Sequence, residues 1–101
     1  MREKEYYAVV AMEEAAEVQQ ALAKALHFGY QDTHPARDSQ TNASEILTEF
    51  YQLTAMIEKL QDLAVLPQLS EPEITAIKQN KMAKVKHYLN YSQEQGLIEP
   101  S

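Results

Sequence analysis

The chain has 101 residues, which is enough for one domain with a modest core and too few for two. It contains no cysteine, which excludes disulfides, thiolate metal sites and a cysteine nucleophile, and its net charge of −6 argues against general binding to polymeric nucleic acid. Apolar residues make up 45% of the chain, and only two glycines and four prolines are present, a composition that favours an all-α fold.

A first helix is predicted from about residue 6 to residue 28, with Gly29 at the position where a glycine commonly ends a helix. Glu13, Glu14 and Glu17 form an E-E-x-x-E cluster within it. Glu14 and Glu17 flank the apolar stripe of the helix, so we expect them to border a neighbouring helix. That stripe consists of Ala11, Ala15, Val18, Leu22, Ala25 and Leu26.

Residues 30–42 are the one long polar stretch and are predicted to form a loop. Asn42 and Glu45 then match a capping box, with Asn42 as the N-cap, that opens a second helix over about residues 43–65. The apolar seam of this helix consists of Ile46, Phe50, Leu53, Ile57, Leu60 and Ala64.

A third helix is predicted over about residues 71–95, opened by a capping box of Ser70 and Glu73. Lys81 and Lys84 fall on its inward stripe, where an unpaired ammonium group costs several kcal/mol, so a negatively charged group is expected to meet them. The apolar members of that stripe are Ile74, Ile77, Val85, Tyr88 and Tyr91.

The acidic residues of the first two helices point to a hard cation. Carboxylates at i, i+3 and i, i+4 repel one another on a shared helix face unless Mg²⁺ or a positive group lies among them. Glu49 of the second helix borders the seam, and Gln52 follows where a fourth acid would complete the set with Glu14 and Glu17. Taken alone, the same pattern also fits a solvated helix face, and the lysines could pair with structural carboxylates.

The ordered combination of motifs over about residues 8–98 resembles the all-α nucleoside triphosphate pyrophosphohydrolases of the MazG-like group. The matching elements are Glu13-Glu14-x-x-Glu17-Val18, Lys24-Ala25-Leu26-His27-Phe28-Gly29, Asn42, Glu49 and Lys81-x-x-Lys84-Val85-x-x-Tyr88-Leu89-x-Tyr91-Ser92.

This resemblance implies a single MazG-like domain over residues 1–101 that assembles into a homodimer or tetramer, so that a helical bundle surrounds each site. Three helices cannot enclose much core alone, which also favours an oligomer. The implied reaction is Mg²⁺-dependent hydrolysis of a (d)NTP to its monophosphate and pyrophosphate.

The resemblance also assigns the acidic positions. Metal ligands are expected at Glu14, Glu17, Glu49 and Gln52, where Gln52 replaces the aspartate of the family pattern. A glutamine carbonyl can bind a hard cation but carries no charge, so we expect weaker Mg²⁺ binding. Glu13 or Glu14 is expected to orient the attacking water as the catalytic carboxylate.

Basic and aromatic residues complete the expected site. Lys81 and Lys84, together with Lys24, are expected to bind the phosphates, because phosphoryl transfer depends on neutralising the phosphate oxygens. Tyr88 and Tyr91 are expected to line the nucleoside, although both also fit a structural role in the core.

The sequence leaves two other functions open. Gln52 favours a degenerate relative that binds nucleotide without efficient hydrolysis, and the apolar stripes also fit a helical oligomeric interaction module. No apolar run reaches the length of a membrane span and no signal-peptide pattern follows Met1, so we expect a cytoplasmic protein that does not bind membranes.

Overall fold

The computed structural model describes residues 1–33 and 39–100, and these residues form three helices. They are α1 (Glu3–Phe28), α2 (Asn42–Asp62) and α3 (Glu71–Glu94). Over the described residues, extended pairing is limited to one isolated bridge between Thr33 and Thr41, so the predicted all-α class is confirmed. Residues 34–38 of the predicted loop lie outside the described residues.

The chain divides into two compact units, Met1–Pro67 with α1 and α2, and Gln68–Ser101 with α3. Among the described helices, none combines the length and the hydropathy that crossing a membrane requires.

α1 and α2 form an antiparallel pair. At one end, Lys24 Nζ lies 3.5 Å from Glu45 Oε1. At the other end, Lys59 Nζ lies 5.4 Å from the centre of the Tyr7 ring, a cation–π distance. Late residues of α1 therefore face early residues of α2.

Alanines of α1 make up most of the buried apolar residues in this pair. The buried apolar residues of the described chain are Ala11, Ala21, Ala25 and Leu60. Since interhelical distance depends on the side chains at the contact, alanines let the two backbones approach closely.

The predicted apolar stripes were therefore partly wrong. Leu22 and Leu26 are 42% and 76% exposed, and Phe50 and Ile57 are 46% and 38% exposed. The face of α1 that turns toward α2 instead passes through Glu14, which is half-buried. A prediction based on apolar residues alone misses this face of α1, because one of the residues on it carries a carboxylate.

The start of α2 also differs from its prediction, because Thr41 and not Asn42 is the N-cap. Thr41 has extended dihedral angles, and its Oγ1 accepts a hydrogen bond of 3.0 Å from the backbone N–H of Ser44. Asn42 is the first helical residue and is 1% exposed, and its Nδ2 donates to the Gly29 carbonyl at 2.9 Å. The asparagine thus ties the end of α1 to the start of α2.

Both helices of the pair end through left-handed backbone. Gly29 ends α1, as predicted, with φ of 102° and its N–H bonded to the Ala25 carbonyl. α2 ends at Asp62, earlier than the predicted Val65, and Ala64 takes a φ of 59°. The N–H groups of Val65 and Leu66 then reach the Leu60 carbonyl at 2.9 and 3.2 Å.

In the second unit, the predicted capping box at α3 is confirmed. The backbone N–H of Glu73 donates to Ser70 Oγ at 3.3 Å, and Glu73 Oε1 accepts from the Ser70 backbone N–H at 2.9 Å. These hydrogen bonds, with the backbone one first, lower the pKa of Glu73 below its ordinary value. α3 ends at Glu94, and Gly96 follows with φ of 75°.

Ala64→Gly should stabilise the protein by about 1 kcal/mol, because glycine takes the left-handed conformation without the clash of a Cβ atom. Urea unfolding monitored by circular dichroism measures the change. Ala55→Gly is the matched control, since Ala55 is exposed in the interior of α2 and its replacement should cost about 0.5–1 kcal/mol. Equal losses in both variants would contradict the assigned turn.

Candidate metal site between the first two helices

Three carboxylates meet midway along the pair of α1 and α2. Glu14, Glu17 and Glu49 each offer a carboxylate oxygen, and these oxygens lie within 4.8 Å of one another. Glu14 and Glu17 are three residues apart and share one face of α1, while the antiparallel arrangement brings Glu49 of α2 opposite them. We call these three residues the acidic cluster.

Gln52 joins the acidic cluster through its carboxamide. In the orientation that satisfies the hydrogen bonds, Nε2 donates to Glu49 Oε2 at 3.0 Å and to Glu14 Oε2 at 3.3 Å. With the amide reversed, its oxygen would face only acceptors, so the network assigns the nitrogen to this side. Gln52 therefore bridges the two helices as a donor.

The crowding of carboxylates changes their proton affinity. The pKa of Glu49 is raised to about 7, chiefly by a hydrogen bond with Glu17, then by desolvation and by the charges of Glu17, Glu14 and Glu45. The pKa of Glu14 is also raised, first by partial burial and then by Glu17 and Glu13. A bound proton on Glu49 offsets part of the repulsion within the acidic cluster.

The donor set fits a hard divalent cation. All the candidate ligands are oxygens, and carboxylates from two helices converge, which is the ligand type that Mg²⁺ prefers. Gln52 can contribute an oxygen only if its carboxamide turns over.

Two predicted residues of α1 lie outside the acidic cluster. Glu13 is exposed, and its charge contributes to the raised pKa of Glu14. Lys24 pairs with Glu45 at 3.5 Å and borders a shallow surface depression of about 350 Å³. The sequence indicated Glu45 only as a capping residue and missed this ion pair, although its four-residue spacing from Glu49 places both on one helix face.

The remaining predicted residues belong to α3 in the second unit. Lys81 and Lys84 are exposed, and Tyr88 and Tyr91 are 67% and 56% exposed. The expected core role of the two tyrosines is not supported by these exposures. The expected roles of all four residues toward phosphate and nucleoside stay predictions.

No family model, curated protein or solved structure matches this chain. The acidic cluster and the sequence motifs are therefore the features that bear on its function.

The raised pKa of Glu49 predicts a pH-dependent stability. The folded protein holds a proton that the unfolded chain releases near pH 4.5, so the free energy of unfolding should fall as the pH rises from about 4.5 to about 7. Glu17→Gln removes the main cause, so it should lower the pKa of Glu49 and flatten this dependence. NMR titration of the Glu49 carboxyl in metal-free protein, with urea unfolding across the same pH range, measures both effects.

The matched control for this titration is Glu58→Gln, because Glu58 is exposed on α2 well beyond the acidic cluster. It should leave the pKa of Glu49 unchanged. Titration of Glu49 at its ordinary value of 4.5 in the unmodified protein would contradict the assigned hydrogen bond with Glu17.

Proposed function

We propose that this chain is a Mg²⁺-dependent nucleoside triphosphate pyrophosphohydrolase of the MazG-like type, which cleaves a (d)NTP to its monophosphate and pyrophosphate. The observation that carries the proposal is the meeting of Glu14, Glu17 and Glu49 from two helices. The sequence motifs supply the substrate class, because the acidic cluster by itself specifies only an affinity for cations.

In this proposal Glu14, Glu17 and Glu49 hold the cation. Mg²⁺ held there would supply positive charge that offsets the negative charge of the phosphate oxygens. Glu14 or Glu13 accepts a hydrogen bond from the attacking water and orients it. Glu14 suits this role because its raised pKa brings it closer to the range in which a carboxylate accepts a proton near neutral pH.

The basic and aromatic residues are assigned to the substrate in this proposal. Lys81 and Lys84 bind the phosphates through their ammonium groups, and Lys24 contributes if its ion pair with Glu45 opens. Tyr88 and Tyr91 offer exposed rings on which a base can stack. Cleavage of the phosphoanhydride bond between the α-phosphorus and the bridging oxygen moves negative charge onto the departing pyrophosphate, so ammonium groups near its oxygens would stabilise it.

A homo-oligomer, either a dimer or a tetramer, is part of the proposal. The described chain buries few apolar side chains, whereas large apolar ones on α1 and α2 stay exposed. Contiguous exposed apolar surface commonly marks an interface. The exposed residues of this kind include Met12, Leu22, Leu26, Phe28, Leu47, Phe50, Tyr51 and Ile57. We place the oligomer in the cytoplasm, in line with the substrate class.

The direct test is release of pyrophosphate from each ribo- and deoxyribonucleoside triphosphate with Mg²⁺. At least one nucleotide should be hydrolysed, and Glu17→Gln should lower kcat/KM at least about tenfold, because it removes a charged metal ligand. Glu58→Gln is the control and should keep full activity. Full activity in Glu17→Gln would remove Glu17 from the site.

Gln52 favours a second candidate, a relative that binds nucleotide without efficient hydrolysis. Its carboxamide donates hydrogen bonds where the family pattern has a charged ligand, so the site has one negative charge fewer. Nucleotide binding without pyrophosphate release would support this candidate. Neither binding nor release would leave a helical oligomeric interaction module.

Gln52→Asp should tighten Mg²⁺ binding at least about tenfold, because it restores a charged ligand to the acidic cluster. Isothermal titration calorimetry with MgCl₂ measures the affinity. Gln19→Asp is the control, since Gln19 is exposed on α1 and points away from Glu17, and it should leave the affinity unchanged. If Gln52→Asp behaves like this control, residue 52 does not face the cation.

A further inference from the structure

Gln52 lies beside two carboxylates of the acidic cluster that repel each other. Its Nε2 is within hydrogen-bond distance of Glu49 on its own helix and of Glu14 on the opposite one. Among the described residues, the recorded ion pair is Lys24 with Glu45, and no basic side chain lies within 4.0 Å of an oxygen of the acidic cluster. The NH₂ group of Gln52 is therefore the neutral donor that these two carboxylates share.

A carboxamide differs from the carboxylate of the family pattern in its hydrogen-bonding groups. It carries a donor and an acceptor on the same carbon, and rotation about the Cγ–Cδ bond exchanges them with little movement of the other atoms. A carboxylate at this position offers only acceptors, so it can join Glu14 and Glu49 only through a cation or a proton.

We propose that Gln52 is a positioning residue with two settings: in the metal-free protein its NH₂ group holds Glu14 and Glu49 together, and on cation binding the carboxamide turns its oxygen inward. The first setting stands on the hydrogen-bond geometry alone, whereas the second rests on the proposed function. The acidic cluster is thus assembled before metal arrives, and binding of Mg²⁺ breaks two hydrogen bonds.

The side-chain amide signals of Gln52 report both settings directly. In protein with ¹⁵N-labelled glutamine and EDTA, at a pH above the pKa of Glu49, the Gln52 NH₂ protons should resonate downfield of those of exposed Gln19 and exchange more slowly with water. Addition of MgCl₂ should remove that difference. The amide of Gln61, which donates to the Pro67 carbonyl at 3.2 Å, is the internal control and should not respond to MgCl₂.

Variants at position 52 give a second readout in the Tm. Without metal, Gln52→Met keeps the length of the side chain but removes both donors, so it should lower the Tm by about 5 °C relative to Gln19→Met. Gln52→Glu should lower the Tm further in EDTA and recover it in MgCl₂, because a fourth carboxylate needs the cation. The unmodified protein should gain less from MgCl₂ than Gln52→Glu does.

The outcomes separate this inference from the proposed function. Gln52 protons that match those of Gln19 in EDTA would overturn the inference, whatever the protein hydrolyses. A protected amide that stays unchanged while calorimetry records Mg²⁺ binding would overturn the turning step and leave the proposed function intact. A protected amide with no Mg²⁺ binding would support the first setting, and it would overturn the second together with the proposed function.

Discussion

Close packing of α1 against α2 through alanines is the constraint on which the rest of the structure depends. Ala21 and Ala25 are almost fully buried, so little space separates the two backbones there. The same approach forces the carboxylates of Glu14, Glu17 and Glu49 together. This crowding raises the pKa of Glu49, chiefly through its hydrogen bond with Glu17. Gln52 Nε2 donates hydrogen bonds to Glu14 and Glu49 in the same cluster.

The register of α2 against α1 is set where α1 ends and α2 begins. Buried Asn42 reaches the Gly29 carbonyl, and its own N–H donates to the Asp32 carbonyl at 2.9 Å. A shift of one residue would turn α2 by about 100° and carry Glu49 off the contact face. The geometry of the acidic cluster therefore depends on buried Asn42, which lies about two helical turns before Glu49 on α2.

Features that depend on a few neighbouring residues were predicted correctly from the sequence. The three helices, the end of α1 at Gly29 and the capping box of Ser70 with Glu73 follow from patterns a few residues long. Contacts between helices were harder to predict. Asn42 resembled an N-cap because caps and buried amides use the same residue type, and its actual partner is 13 residues away in the chain. The early end of α2 depends on a left-handed alanine, which no propensity favours.

The proximity of Glu14 to Glu49 could be predicted from the helix faces on which they lie. The hydrogen bonds within the acidic cluster could not be predicted, because residue spacing does not determine which group donates. The sequence predicted that Gln52 replaces an acidic metal ligand. In the structure its carboxamide donates hydrogen bonds to Glu14 and Glu49, which reduces the repulsion between these two carboxylates. Both descriptions concern one property, since a neutral amide contributes no charge to a cation and also repels no neighbouring acid. The helix pair therefore closes around a neutral donor at position 52, where a fourth carboxylate would add repulsion. In a cluster made of acids alone, folding would depend more strongly on a bound cation.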